Sequence, residues 1–253
     1  MRGRYPSTSG YSYQFGPGPW TPAIKAIAIT CGAVFVVDRL IVAQMFGISL
    51  AKYFGLMPFA VIEGLQVWQL GTYLFLHGGV FHLLFNMLAL WMFGVELERT
   101  WGTKFFAKYY AVTGIGAGIT VLLAALTPFG ASSYTAATVG ASGAIYGVLL
   151  AFAMYFPNRP ILLFMFFPVP AKYAVVIMGA IAFMATAEDS GGGVSHVAHL
   201  GGLVAGYLYL KGGRMHLVSE LQYRYVKWKI NRTRRKFDVY SGGRSNDINR
   251  RVH

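Results

Sequence analysis

Apolar residues run in long blocks along this chain, and charged ones gather at the block ends. Residues 64–95, 109–158 and 190–210 contain no Asp, Glu, Lys or Arg. A helix crossing a hydrocarbon core needs about 20 apolar residues, so each block holds at least one crossing and the longest holds two. A further apolar stretch, residues 23–46, makes a first span, interrupted by Asp38 and Arg39. A charge left facing lipid costs a few kcal/mol, so this pair is expected to face protein or the interface. The other five spans fall at roughly 73–95, 105–126, 142–157, 171–187 and 195–211. The pattern therefore predicts an all-α membrane protein of six transmembrane helices.

Between the first two spans, residues 47–72 are aromatic and apolar, which predicts an interfacial first external loop. Residues 158–170 form a second interfacial piece, because Pro157, Pro160, Pro168 and Pro170 forbid a continuous helix. Three regions follow: an N-terminal tail at 1–22, a six-span core at 23–211 and a basic C-terminal tail at 212–253. No short apolar stretch with a small-residue cleavage site precedes the first span, so the N-terminal tail is read as retained.

Composition sharpens this picture. The chain is 55% hydrophobic and 12% charged, which excludes a soluble enzyme and a disordered chain, and the lone Cys31 excludes a disulfide scaffold. A net charge of +13 raises the question of nucleic acid, but twelve of the twenty-two Lys and Arg lie in residues 211–253. A basic segment after a last span is a cytoplasmic retention signal that meets anionic lipid headgroups, so membrane lipids are expected partners and nucleic acid is not. With the N-terminus inside, twenty Lys and Arg lie on the inner side, Lys52 alone lies outside and Arg39 lies in the first span. That split predicts a multi-pass protein of the cell (inner) membrane with both termini cytoplasmic.

Three spans carry polar groups that lipid-facing helices would not. The second has His77, His82 and Asn86, the fourth opens with Ser142, and the sixth has His196 and His199. At about 1.5 Å per residue, Asn86 and His82 lie about 15–21 Å from Glu96, Ser142 about 25 Å from Arg159 and His199 about 18 Å from Lys211. A similar depth on three helices predicts one water-reached cavity in the outer half of the membrane. Singly, an intramembrane His or Asn more often joins two helices by a hydrogen bond worth about 1 kcal/mol. Ser142, however, sits in Gly140-Ala141-Ser142-Gly143, where glycines allow a sharp turn and leave the hydroxyl at a helix start. Free N–H groups and the positive dipole end there favour an oxyanion.

Small residues at 198, 202 and 206 form a stripe beside His199, so spans four and six are expected to pack closely enough to join Ser142 and His199. Serine needs a base to become nucleophilic, and histidine is the usual one. No carboxylate lies within spans two to six as drawn, which predicts a Ser142–His199 dyad, with Tyr146 one turn from Ser142 to fix the ring. His82 and Asn86, at i and i+4, would donate to a tetrahedral oxyanion together with the Ser142 N–H. No cluster has the ligand count of a metal site, and no cofactor is expected.

Together these motifs resemble the rhomboid intramembrane serine proteases over about residues 65–211. The carriers are Gly140 to Gly143 with Tyr146, Ala198-His199-Leu200-Gly201-Gly202, the His77, His82, Asn86 series, and Gly94, Glu98, Gly102. The resemblance implies a rhomboid-like bundle, Ser142 as nucleophile, and His199 as base. It also implies an oxyanion hole of His82, Asn86 and the Ser142 amide, with Tyr146 against the His199 ring and His77 in support. The Trp-Arg pair often found in the family's first loop reads Trp68-Gln69 here. The implied activity is cleavage of transmembrane substrate helices near their outer ends, with the site opening outward; the fifth span, before Glu188 to Gly193, is the expected gate. The alternative is a non-catalytic rhomboid-like protein that binds membrane segments, although such relatives typically lack the Ser or the His.

Overall fold

The computed structural model describes residues 16–128, 133–163, 166–187 and 196–212, together with Lys227. The chain divides into two compact units, Met1–Leu210 and Lys211–His253. The expected hinge at Glu188 to Gly193 and nearly all of the basic tail lie outside the described residues.

Six helices of fourteen residues or more are present among the described residues: α1 (Pro22–Phe46), α2 (Val80–Trp101), α3 (Thr103–Ala125), α4 (Ser142–Tyr155), α5 (Ala171–Ala187) and α6 (His196–Gly212). Helices α1, α2 and α3 are long and apolar enough to cross a membrane, and α4 and α5 are shorter apolar helices.

Proline at the first position of α1 has its φ already set for a helix, and its missing N–H costs nothing there. The next donors are satisfied from another helix. Glu98 of α2 is buried and accepts from the N–H groups of Ala23 at 2.9 Å and Ile24 at 3.1 Å. It also accepts from the hydroxyls of Thr21 and Thr103. One carboxylate thus caps α1 and reaches the first turn of α3, where the positive ends of the helix dipoles favour it. Gly94, one turn earlier, leaves room for Ile24, whose Cδ1 would lie 2.5 Å from an added Cβ. Gly102 turns the chain from α2 into α3 with φ +82°.

Of the charged pair in α1, Asp38 faces protein and Arg39 stays half-exposed. The helix widens into a π turn at Val37–Val42. Asp38 there is buried and accepts from the Leu50 N–H at 2.6 Å and the Ser49 hydroxyl at 3.2 Å. The Arg39 guanidinium donates to the Gly78 carbonyl at 2.7 Å.

Two boundaries differ from the sequence expectation by more than a turn. Helix α2 begins at Val80 and not near residue 73, and it continues to Trp101 past the expected end at 95. Residues Tyr73–Phe75 form a 3-10 turn, and the Gly78-Gly79 pair delays the helix because glycine loses most entropy on becoming helical. The charges that marked an end are accommodated within the protein: Glu98 by its four donors, Arg99 by the Pro17 and Pro19 carbonyls, and Glu96 by Arg159. His77 therefore precedes the helix, and His82 lies in its first turn, about 28 Å from Trp101 at 1.5 Å per residue.

Residues 47–72 hold three short helical turns, Ala51–Phe54, Pro58–Ile62 and Gln69–Thr72. Leu56 and Thr138 exchange backbone hydrogen bonds at 2.8 and 2.9 Å, pinning this loop to the segment that leads into α4. Gln69, fully buried, accepts from the Met57 N–H and donates to Gln66 Oε1 and the Tyr53 carbonyl. An amide with both ends satisfied thus anchors the loop where an arginine is often found. The proline-rich segment is non-helical, as expected, but it forms a hairpin: β1 (Pro160–Leu163) pairs antiparallel with β2 (Phe167–Pro170), Ile161 opposite Val169.

Helices α4 and α6 cross at their glycines. A Cβ on Gly202 would overlap the Gly143 carbonyl, and one on Gly206 would lie 3.2 Å from Gly147 Cα. Helix α3 closes the other side, with Tyr109 donating its hydroxyl to the Gly147 carbonyl at 2.7 Å.

Candidate active site

Ser142 is the first residue of α4, and it follows a turn that only glycine serves well. Gly140 has φ +124°, and a Cβ there would stand 2.8 Å from Cε1 and Nε2 of His82. Positive φ and the absent side chain together let the His82 imidazole lie against the backbone that leads to Ser142. Tyr73 holds the turn from behind: its carbonyl accepts the Gly140 N–H at 3.0 Å, while its buried hydroxyl donates to the Gly114 carbonyl of α3 at 2.8 Å. Sequence reasoning missed Tyr73, because nothing local marks an aromatic residue as a backbone clamp. Gly140→Ala is expected to cost about 1–3 kcal/mol of stability, from left-handed strain and the His82 contact; thermal unfolding in detergent measures it.

The close crossing of α4 and α6 sets His199 beside that helix start. His199 Nε2 and Ser142 Oγ are 2.8 Å apart. The Tyr146 ring stacks on the His199 ring at 4.2 Å and 5° between planes, which fixes the plane of the imidazole. His196 meets the same ring edge-on at 5.8 Å. Both Ser142 and His199 are half-buried. Among the described residues no carboxylate hydrogen-bonds His199. Helix α2 does carry Glu96 and Glu98, contrary to the expectation drawn from its shorter range, but both are engaged with other partners.

His82 and Asn86 lie beside Gly140. Asn86 is buried, and its Nδ2 has no partner among the described residues, although it would lie 3.8 Å from a Cβ on Gly140. A buried amide donor left unpaired costs about 1–3 kcal/mol. The Gly78 N–H donates to His82 Nδ1 at 3.4 Å. In a neutral imidazole with Nδ1 accepting, the proton sits on Nε2, the nitrogen that faces Gly140. His77 is buried and packs edge-on against His82 at 5.2 Å. His82 Nε2 and Asn86 Nδ2 thus lie beside Gly140, two residues before Ser142. The arrangement sets an imidazole nitrogen against a hydroxyl at a helix start, with a second imidazole and an amide beside the glycine two residues earlier.

A rhomboid domain model matches residues 64–214, more than half of the chain. The chain belongs to the rhomboid family. It is similar to the mitochondrial Rhomboid protein 1 of Saccharomyces cerevisiae, 39% identical over 140 residues that make up 53% of this chain and 38% of that protein. It is 31% identical to RHOMBOID-like protein 1 of Arabidopsis thaliana over 169 residues, covering 64% of this chain and 38% of that one. It is 32% identical to Rhomboid protease GluP of Bacillus subtilis over 155 residues, 61% of this chain and 27% of that protein. The matched region thus spans about two fifths or less of each of these relatives.

Proposed function

We propose that this chain is an intramembrane serine endopeptidase that cleaves transmembrane substrate helices near their outer ends. The observation that carries the reading is the 2.8 Å contact between His199 Nε2 and Ser142 Oγ at the start of a helix. In this mechanism Ser142 Oγ attacks the scissile carbonyl as its proton passes to His199 Nε2. The tetrahedral oxyanion accepts from the Ser142 N–H, Asn86 Nδ2 and His82 Nε2. Collapse breaks the C–N bond; the amine leaves with the proton from His199, and the acyl group stays on Ser142. A water that gives its proton to His199 then attacks the ester, releasing the new carboxyl terminus and restoring the hydroxyl. Gly140 and Gly143 allow the turn and the close crossing, Tyr146 steadies the base, and His77 supports His82.

The helix lengths support a site at membrane depth. The fourteen residues of α4 rise about 21 Å, short of a hydrocarbon core about 30 Å thick. Irregular backbone before Ser142 is tolerated at that depth where it lines a water-filled cavity. The reading assigns residues 23–211 to six crossings, residues 1–22 and 212–253 to cytoplasmic tails, and the site to a mouth on the outer side of the cell (inner) membrane. Substrates enter from lipid and unwind locally, since a helix hides its carbonyls from attack. An open apolar groove of about 360 Å³ lies between α4, α5 and α6, lined by Leu150, Val175, Gly179 and Leu203 among others, and the reading takes α5 as the moving element.

The test is cleavage of a model transmembrane substrate by the purified protein in liposomes, with product masses giving the cut position. Two products cut near the outer end are expected; an intact substrate would refute the reading. Asn86→Ala is expected to lower kcat about 100-fold, roughly 2.7 kcal/mol of barrier, with KM little changed. Unaltered turnover would make Asn86 a packing residue only.

A further inference from the structure

The Gly78-Gly79 pair that leads into α2 has no side chains to fix its path, yet it carries the hydrogen bond that orients His82. Its anchor comes from α1. Arg39 Nη2 donates to the Gly78 carbonyl at 2.7 Å, and the Gly78 N–H faces His82 Nδ1. The guanidinium is itself held in place: Arg39 Nε lies 3.8 Å from Asp38 Oδ2, and its Cζ lies 5.9 Å from the Phe35 ring centre. Both residues sit in the π turn at Val37–Val42, a local widening that recurs at functional sites. There Asp38 turns inward to Leu50 and Ser49, while Arg39 reaches across to Gly78. Asp38 alone suffices to pin the outer loop. A half-exposed arginine in an apolar helix is costly and adds nothing to that pin.

The geometry points to Arg39 as a positioning residue that, through the Gly78 backbone, holds the His82 ring with its proton on Nε2, toward the oxyanion. The inference rests on the peptidase reading for its catalytic meaning. The physical chain runs from a charge-assisted hydrogen bond to a carbonyl, through a glycine otherwise free to rotate, to the N–H whose donation to Nδ1 selects one imidazole tautomer. His77, edge-on at 5.2 Å, supports the ring but does not choose its tautomer.

Full-length protein labelled with 15N-histidine, in detergent micelles, reports the tautomer directly, with the His82 signals assigned by their loss in His82→Asn. The wild type is expected to show a single neutral form with the proton on Nε2. Arg39→Ala is expected to show both tautomers, with kcat about tenfold lower and KM within twofold. Arg39→Lys, whose ammonium can reach the same carbonyl, should restore the single tautomer and most of kcat. A lower melting temperature in Arg39→Ala with the tautomer unchanged would overturn the proposal, as would wild-type kcat in that variant. If the wild type cleaves no substrate, the peptidase reading fails by itself, and the tautomer comparison still decides what Arg39 does to His82.

Discussion

Alanine in place of Ser142 or His199 is expected to abolish cleavage of a transmembrane substrate while leaving the fold standing. The Ser142 hydroxyl is the nucleophile of the proposed chemistry, and no neighbouring side chain offers another at the start of α4. The His199 ring is held by Tyr146 at 4.2 Å and touches that hydroxyl at 2.8 Å, so its loss removes both the acceptor and the donor of the transferred proton. In serine peptidases, loss of either partner costs about 10⁶ in kcat, which places both variants below detection in a liposome assay. Structurally Ser142→Ala removes one hydrogen bond of about 1 kcal/mol between half-buried groups, and His199→Ala removes the same bond and a ring contact worth about 1 kcal/mol more. Melting in detergent should therefore stay near that of the wild type. Cleavage that persists in both variants would remove the dyad.

Gly202→Val should have the largest effect on the fold. Any Cβ at this position overlaps the Gly143 carbonyl, which is backbone and cannot rotate away, so α6 must move off α4. Overpacking costs typically 1–3 kcal/mol, and more where the obstacle is backbone. The same movement draws His199 from Ser142, and a displacement of about 1 Å in reacting groups is enough to cost 100-fold in rate. Gly32→Ala in α1 is the matched control, because a Cβ there meets nothing within 4 Å. It should be neutral or gain up to about 1 kcal/mol from helix propensity. Equal melting temperatures for Gly202→Val and wild type would refute the close crossing.

The chain's gross layout was legible because apolar length is a one-dimensional signal. The blocks without charge at 64–95, 109–158 and 190–210 each hold a helix where one was expected. The close crossing of α4 and α6 was also legible, since small residues at 198, 202 and 206 leave room for it. What failed was local to charges and loops. Helix α2 runs on to Trp101 because Glu98 finds four donors on α1 and α3, a tertiary fact that no charge count contains. Four prolines correctly excluded a helix at 158–170, but strand pairing between Ile161 and Val169 depends on the partner strand and left no periodic mark. The backbone clamp by Tyr73 and the reach of Arg39 to Gly78 were hidden for the same reason. Each joins residues far apart in sequence through a carbonyl, which every residue has and no motif singles out.

Covalent labelling with a fluorophosphonate probe tests the central claim most directly, since it needs no substrate. Peptide mass spectrometry of the intact protein treated in liposomes should place one adduct on Ser142, and the same treatment of His199→Ala should leave that serine unmodified. An unlabelled Ser142 in the wild type, or equal labelling with and without the imidazole, would contradict an activated hydroxyl at this helix start.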